Sequence, residues 1–252
     1  AQGISDIHIP EGTFNFVEVG ESWIEVVFPA GINFFGALTE RTIGFPEQSR
    51  GMSPNNQVIE WKTVLVMPWD VPSGAVWFRL VGTSDPNEPS RFSDIKLVGY
   101  RSIDNESTSM HHALIIDSVI NFRVDHCCFE HTCGGIVTNG HYCCGVIDHN
   151  IFHNEYGIPD PYASRTVGYG IFPSRAVPEY EWDPIENIVG KYTNYTIFIE
   201  NNYFTKWRHV VAGNHGIHYV FRHNTVEHGF AYGEIDAHQA YEGVGNRAVE
   251  SY

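Results

Sequence analysis

A chain of 252 residues with 30 acidic against 15 basic side chains carries a formal charge of −15. That balance excludes the broad basic face a nucleic-acid partner needs, and leaves an acidic polymer only a local basic patch or a bridging cation. The length suits one large domain, and no run of about 18 or more apolar residues is present to span a membrane.

Residues 7 to 38 read as short apolar runs broken by Pro and Gly: Ile7-His8-Ile9-Pro10-Glu11-Gly12, then Val26-Val27-Phe28-Pro29-Ala30-Gly31-Ile32-Asn33-Phe34-Phe35-Gly36. Period-2 alternation with such punctuation indicates strands, and no stretch sustains helical periodicity. Further strands are expected at Val64-Leu65-Val66-Met67, Ala75-Val76-Trp77-Phe78-Arg79-Leu80 and Ile95-Lys96-Leu97-Val98-Gly99. From about Leu114 the pattern becomes regular. The chain is therefore all-β.

The regular part repeats a phrase. Val124-Asp125-His126-Cys127-Cys128-Phe129 returns as Ile147-Asp148-His149-Asn150-Ile151-Phe152, as Ile199-Glu200-Asn201-Asn202-Tyr203-Phe204 and as Phe221-Arg222-His223-Asn224-Thr225-Val226. Cys127 and Asn150 are 23 residues apart, and Asn202 and Asn224 are 22 apart. A rung of roughly 22 residues with two or three short strands predicts a parallel β-helix, because each coil buries its inward side chains only by stacking on its neighbours.

Alternation then assigns the columns. Val124, Ile147, Ile199 and Phe221 face inward, as do Phe129, Phe152, Phe204 and Val226, while Asp125, Asp148, Glu200 and Arg222 face outward. Cys127, Asn150, Asn202 and Asn224 form a turn ladder, where Asn tolerates left-handed backbone and bonds the turns above and below. Asn150 and Asn202 lie 52 residues apart, and the excess, Gly157–Thr193, reads as one strand near Tyr169–Phe172 between two loop excursions. Long loops on one side of a solenoid mark its binding face. One domain over 1–252 is expected, with irregular coils over 1–110, regular coils over 111–252 and the loop insertion at 157–193.

These residues resemble the right-handed parallel β-helix proteins of the pectate-lyase-like superfamily. The opening Ile7–Phe14 with Phe28–Asn33 looks like that group's first coil, and Asn150, Asn202 and Asn224 look like its internal ladder. The resemblance covers nearly the whole chain and implies a right-handed parallel β-helix. Members include polysaccharide lyases that use a basic residue with calcium, hydrolases that use paired carboxylates, and proteins with no known reaction. Asn246-Arg247-Ala248-Val249-Glu250-Ser251-Tyr252 looks like the strand leading into another ladder turn, which predicts a longer parent protein or self-association through an open C-terminal coil.

The 14 histidines fall partly in register. His126, His149 and His223 precede the ladder, with Asn201 completing their column; His131, Asn154, Lys206 and His228 lie four residues after it. Such a stripe binds a metal or a polyanion, or its members simply hydrogen-bond one another between coils. Five cysteines, Cys127, Cys128, Cys133, Cys143 and Cys144, cluster locally, and an odd count leaves at least one unpaired within the chain. Zinc is one reading; buried thiols or one or two disulfides between coils are the others. Asn105-Glu106-Ser107 and Asn194-Tyr195-Thr196 fit the glycosylation pattern and point to an extracellular or cell-surface setting.

The best chemical constellation is Lys206-Trp207-Arg208-His209, with Asn214-His215 one strand later and Glu234-Ile235-Asp236-Ala237-His238 one coil on. For a lyase, Lys206, Arg208 or His209 takes the proton alpha to a uronate carboxylate, while a cation held by Glu234 and Asp236, calcium by the resemblance, neutralises that carboxylate. For hydrolysis, Glu234 and Asp236 share acid and base roles. His238 joins the catalytic candidates, and Tyr180, Trp182, Trp207, His215 and His228 are the candidate substrate contacts. The competing expectations are a polar loop face without a reaction and a non-catalytic surface or filament-forming rod. No phosphate loop, nucleophile elbow or His-Glu-x-x-His motif is present.

Overall fold

The computed structural model describes residues 5–16, 25–37, 60–67, 75–82, 87, 89–99, 112–139, 143–154, 168–174, 196–213, 217–227 and 235–237. All of their regular structure is β.

The strands come in rotation, three to a coil. The first coil holds β1 (Asp6–His8), β2 (Gly12–Asn15) and β3 (Val26–Pro29). The second holds β4 (Asn33–Phe35), β5 (Thr63–Val66) and β6 (Val76–Val81). The third holds β7 (Ser90–Ser93), β8 (Lys96–Val98) and β9 (His112–Asp117). The fourth holds β10 (Ile120–Asp125), β11 (Cys128–Glu130) and β12 (Gly134–Asn139). The fifth holds β13 (Cys144–Asp148), β14 (Ile151–His153) and β15 (Tyr169–Pro173). The sixth holds β16 (Thr196–Glu200), β17 (Tyr203–Thr205) and β18 (His209–Gly213). The last holds β19 (His218–Arg222), β20 (Thr225–Glu227) and β21 (Ile235–Ala237).

Each strand pairs in parallel with its counterpart in the coils before and after. Three seven-stranded parallel sheets result, here called A (β1 to β19), B (β2 to β20) and C (β3 to β21). The stacking expected of the regular part therefore begins already at Asp6, and the strand expected near Tyr169–Phe172 is β15.

The inward columns are as the alternation requires. Val124, Ile147 and Ile199 are buried and in register. Phe129, Phe152 and Phe204 stack face to face, with centroids 4.9 and 4.6 Å apart. One core cluster runs from Phe28 to Tyr219. Burying a Phe or Ile side chain contributes about 1.5–3 kcal/mol, and here nearly all of it depends on the adjoining coil.

Corners are built by left-handed residues. Asp94, Ser118, His126, His131, His149, Asn201, Lys206 and His223, at corners, have φ between 54° and 66°, as does Asn121 at the register shift inside β10. The sequence reading placed the left-handed backbone on the ladder asparagines, but it falls one residue earlier, on His126, His149, Asn201 and His223. The reason is geometric: the left-handed residue swings the next side chain inward. Ile95, Val119, Cys127, Thr132, Asn150, Asn202 and Trp207, each following such a residue, are wholly buried.

That inward turn lets the ladder work. Asn150 Oδ1 accepts from the backbone N–H of Cys127 at 2.9 Å, and Asn150 Nδ2 donates to Val124 O at 2.9 Å. Asn202 repeats this with the Asn150 N–H and Ile147 O, and Asn224 with the Asn202 N–H and Ile199 O.

Candidate functional site

Sheet C separates from the other two by its borders. Of the five longest connections, 16–25, 99–111 and 154–168 enter it from sheet B and 174–195 leaves it for sheet A; only 36–62 lies elsewhere. The other corners between A and B are short, three residues between β1 and β2 and two residues elsewhere, as at His126-Cys127 and His149-Asn150. Variable segments thus frame one face.

The outer surface of that face has two columns. In the first, Val76, His112, Gly134, Tyr169 and His209 follow in register. Tyr169 stacks on His209, centroids 5.4 Å apart, and on Phe172 at 5.0 Å. In the second, Val27, Arg79, Ile115, Val137 and Phe172 follow. Val76, Ile115 and Val137 with Phe172 form an apolar cluster separate from the core. At the edge, Arg79 donates to Glu25 at 2.5 Å and lies 3.8 Å from Asp117.

Of the candidates read from sequence, Lys206, Trp207, Arg208 and His209 lie in and just after the corner from B to C. Lys206 holds the left-handed turn, with φ 59°, and its N–H donates to Glu227 O. Lys206 and Arg208 are half-buried, and His209 opens β18, 3% exposed. Trp207 is no surface contact: its side chain lies wholly in the core, edge-on to Phe152 at 6.4 Å, because Lys206 turns it inward. Asp236 is paired with Ala212, three positions along from His209 on the neighbouring coil. Tyr180, Trp182, His215, His228, Glu234 and His238 lie outside the described residues, as do Asn105 and Asn194 and the C-terminal residues 246–252. Sequence reasoning missed His112 and Arg79, since sheet C carries no repeated phrase.

Sheet A carries a second set of functional groups. Arg91 holds Asp125 through Nε and Nη2 at 2.7 and 2.5 Å, and Arg123 holds Asp148 through the same atoms at 2.9 and 2.7 Å. Each carboxylate also meets Nδ1 of the histidine that follows it, His126 or His149, at 2.6 Å. The two imidazoles are parallel within 4°, centroids 5.4 Å apart. Arg222 donates to Glu200 at 2.6 Å.

Burial raises the Asp125 carboxyl, but hydrogen bonds from Arg91 and His126 outweigh it and hold the group at about 2. The bond to Asp148 raises His149 above the ordinary imidazole value. The outward column read from sequence is thus correct in direction, but its carboxylates are covered by arginines of the neighbouring coil.

None of the five cysteines is in a disulfide. Burial pushes the Cys128 thiol up to about 12 and Cys143 to about 11, so these are packed thiols and not reactive ones. Among the described residues no group of three or more His, Cys, Asp or Glu could hold a metal ion, and no helix is long and apolar enough to cross a membrane. The cation expected between Glu234 and Asp236 would sit on side chains outside the described set. Compared with protein-family models, curated proteins and solved structures, the chain matches none.

Proposed function

We propose that the chain is a right-handed parallel β-helix of the pectate-lyase-like kind whose C-sheet face binds carbohydrate and acts on an acidic polysaccharide. The observation that carries this reading is the half-buried pair of rings Tyr169 and Phe172, with the buried His209 stacked against Tyr169, on the sheet that the long connections border. Flat aromatic faces beside half-buried polar groups suit sugar rings, which have an apolar face and a polar rim.

The reaction we assign is β-elimination. His209, Lys206 or Arg208 takes the proton alpha to the uronate carboxylate, the bond from the beta carbon to the glycosidic oxygen breaks, a carbon–carbon double bond forms, and the leaving oxygen is protonated. A cation between Glu234 and Asp236 would stabilise the carboxylate as it gains charge. Hydrolysis by the same two carboxylates is the alternative. Incubation with alginate, pectate and glycosaminoglycans, with and without calcium, tests this by the ultraviolet absorbance of the unsaturated product. Silence on all of them removes the elimination reading, and full activity in both Arg208→Ala and His209→Ala removes those two assignments.

A structural, rod-like role has its own support. Ile7 and Phe14 in the first coil and Ile235 in β21 expose 37, 36 and 43% of their surface, so apolar groups show at both described ends of the stack. End-to-end association of this kind predicts a mass that rises with concentration in light scattering.

A further inference from the structure

We propose that the outer face of sheet A is a docking strip for a linear acidic polysaccharide, laid along the stacking axis over Arg91, Arg123, His149, Arg222 and His223. The inference rests on the acidic-glycan reading above and adds a contact on a different face from sheet C.

The argument starts from how charge is layered. The side chains of Arg123, Arg222 and His149 are 46, 47 and 41% exposed, and Arg91 is 29% exposed, whereas Asp125 and Asp148 are 0 and 5% exposed and Glu200 is 22% exposed. His223 is exposed and Asp94 is buried. From β7 to β19 the most exposed charged side chains described on this sheet are therefore the guanidiniums of Arg91, Arg123 and Arg222, over carboxylates of which Asp125 and Asp148 are buried and Glu200 is partly buried. On a chain of net charge −15, such a strip is a local exception.

The cations are also fixed in place. The bidentate contacts occupy Nε and Nη2 of Arg91 and Arg123, leaving Nη1 and one Nη2 hydrogen directed away from the carboxylate. Arg91 and Arg222 further lie over the rings of Phe35 and Phe198 at 5.6 Å. A guanidinium already ordered in this way loses little side-chain entropy on binding, and its planar fork matches carboxylate or sulfate.

The spacing selects a polymer. Basic side chains stand on the third, fourth, fifth and seventh coils, the sixth placing Glu200 and Asn201 there instead, and coils lie about 4.8 Å apart along the axis, so a chain bearing an anion on each sugar can meet several at once. Nucleic acid is the disfavoured polyanion, because binding there depends on neutralising many phosphates over a broad basic face, and only three arginines lie on this strip.

The test uses two variants of the whole chain, Arg123→Gln/Asp148→Asn, which removes an ion pair jointly, and Arg222→Gln/His223→Gln, with circular dichroism to confirm the fold. Affinity for long polyuronate, for a sulfated glycosaminoglycan and for a single-stranded oligonucleotide is measured beside elimination on short oligouronates. The expected result is a tenfold or greater loss of affinity for the long acidic glycans in folded variants, with the short-substrate rate unchanged; the uronate and sulfate arms show which anion is preferred. Unchanged affinity in both variants overturns the strip and leaves the C-sheet reading standing. Loss of affinity in the variants of a chain that eliminates nothing supports the strip and removes the reaction. No affinity of the native chain for any acidic glycan overturns both, and tighter binding of the oligonucleotide overturns the partner class.

Discussion

The sulfur of Cys127 does for Phe92 what the amide of Asn150 does for Val124. Cys127 Sγ lies 3.7 Å from Phe92 O and 3.4 Å from Asp125 O, and the Ile95 N–H bonds back to the sulfur. Asn150 Nδ2 reaches Val124 O at 2.9 Å, and Asn202 Nδ2 also meets Glu200 O in its own coil. A thiol thus imitates each bond of the ladder in a weaker form. Cys127→Asn is expected to raise unfolding stability by about 1 kcal/mol, the net value of a buried hydrogen bond, and Cys127→Ala to lower it by a similar amount. Chemical denaturation of both proteins, read from the midpoint at constant slope, checks the pair.

Asn202→Ala removes the acceptor of the Asn150 N–H and the donor to Ile147 O. Both backbone groups are then buried without partners, at about 1–3 kcal/mol each. A loss of at least about 2 kcal/mol is expected, larger than for Asn224→Ala at the less buried end of the ladder. Parallel thermal melts decide this, and equal losses would show that burial does not set the cost.

How stability varies with pH follows from two groups of sheet A. Asp125 is held below its unfolded value, so its contribution is present above about pH 4 and is lost as pH falls towards about 2, amounting to about 2 kcal/mol. His149 is raised above its unfolded value, so its contribution is full below about pH 6.5 and fades as pH rises through the folded value. Denaturation across pH 2 to 9 should show both slopes, and Asp148→Asn should flatten the upper one and part of the lower one too, because burial raises the Asp148 carboxyl but hydrogen bonds from His149 and Arg123 outweigh it and hold it below its ordinary value.

Two glycines separate rigid from yielding contact. A Cβ on Gly145 would fall on the Phe122 carbonyl, which is backbone, whereas one on Gly134 would fall on the ring of His112. Gly145→Ala is expected to cost about 3 kcal/mol or more. Gly134→Ala should cost less, because the imidazole swings aside, and should instead alter glycan binding at sheet C. Stability and affinity measured on both variants test the contrast.

How much of this is legible in the sequence follows from which parts repeat. Val124, Ile147 and Ile199, with Phe129, Phe152 and Phe204, announce their columns because two residue types recur at fixed distance from a turn whose length never changes. Sheet C strands enter and leave through connections of every length, so His112, Tyr169 and His209 share a column with no common phrase around them. Trp207 was misread as a surface aromatic because alternation alone does not register a left-handed residue before it. Arg91 and Arg123 were invisible as partners of Asp125 and Asp148, since the pairing crosses from one coil to the next and sequence spacing gives no side-chain direction.

The left-handed corners also set how the molecule comes apart. The side chains of Asn150 and Asn202 bond to the coil before and to the coil after, and each left-handed corner residue other than glycine carries about 1–2 kcal/mol of backbone strain that its own coil cannot relieve. A coil is therefore unfavourable alone and favourable as an addition, so the stack behaves as a chain of nearest neighbours. Cooperativity should be local: cutting the ladder at Asn202 would uncouple the coils before it from those after it, and one unfolding transition would become two.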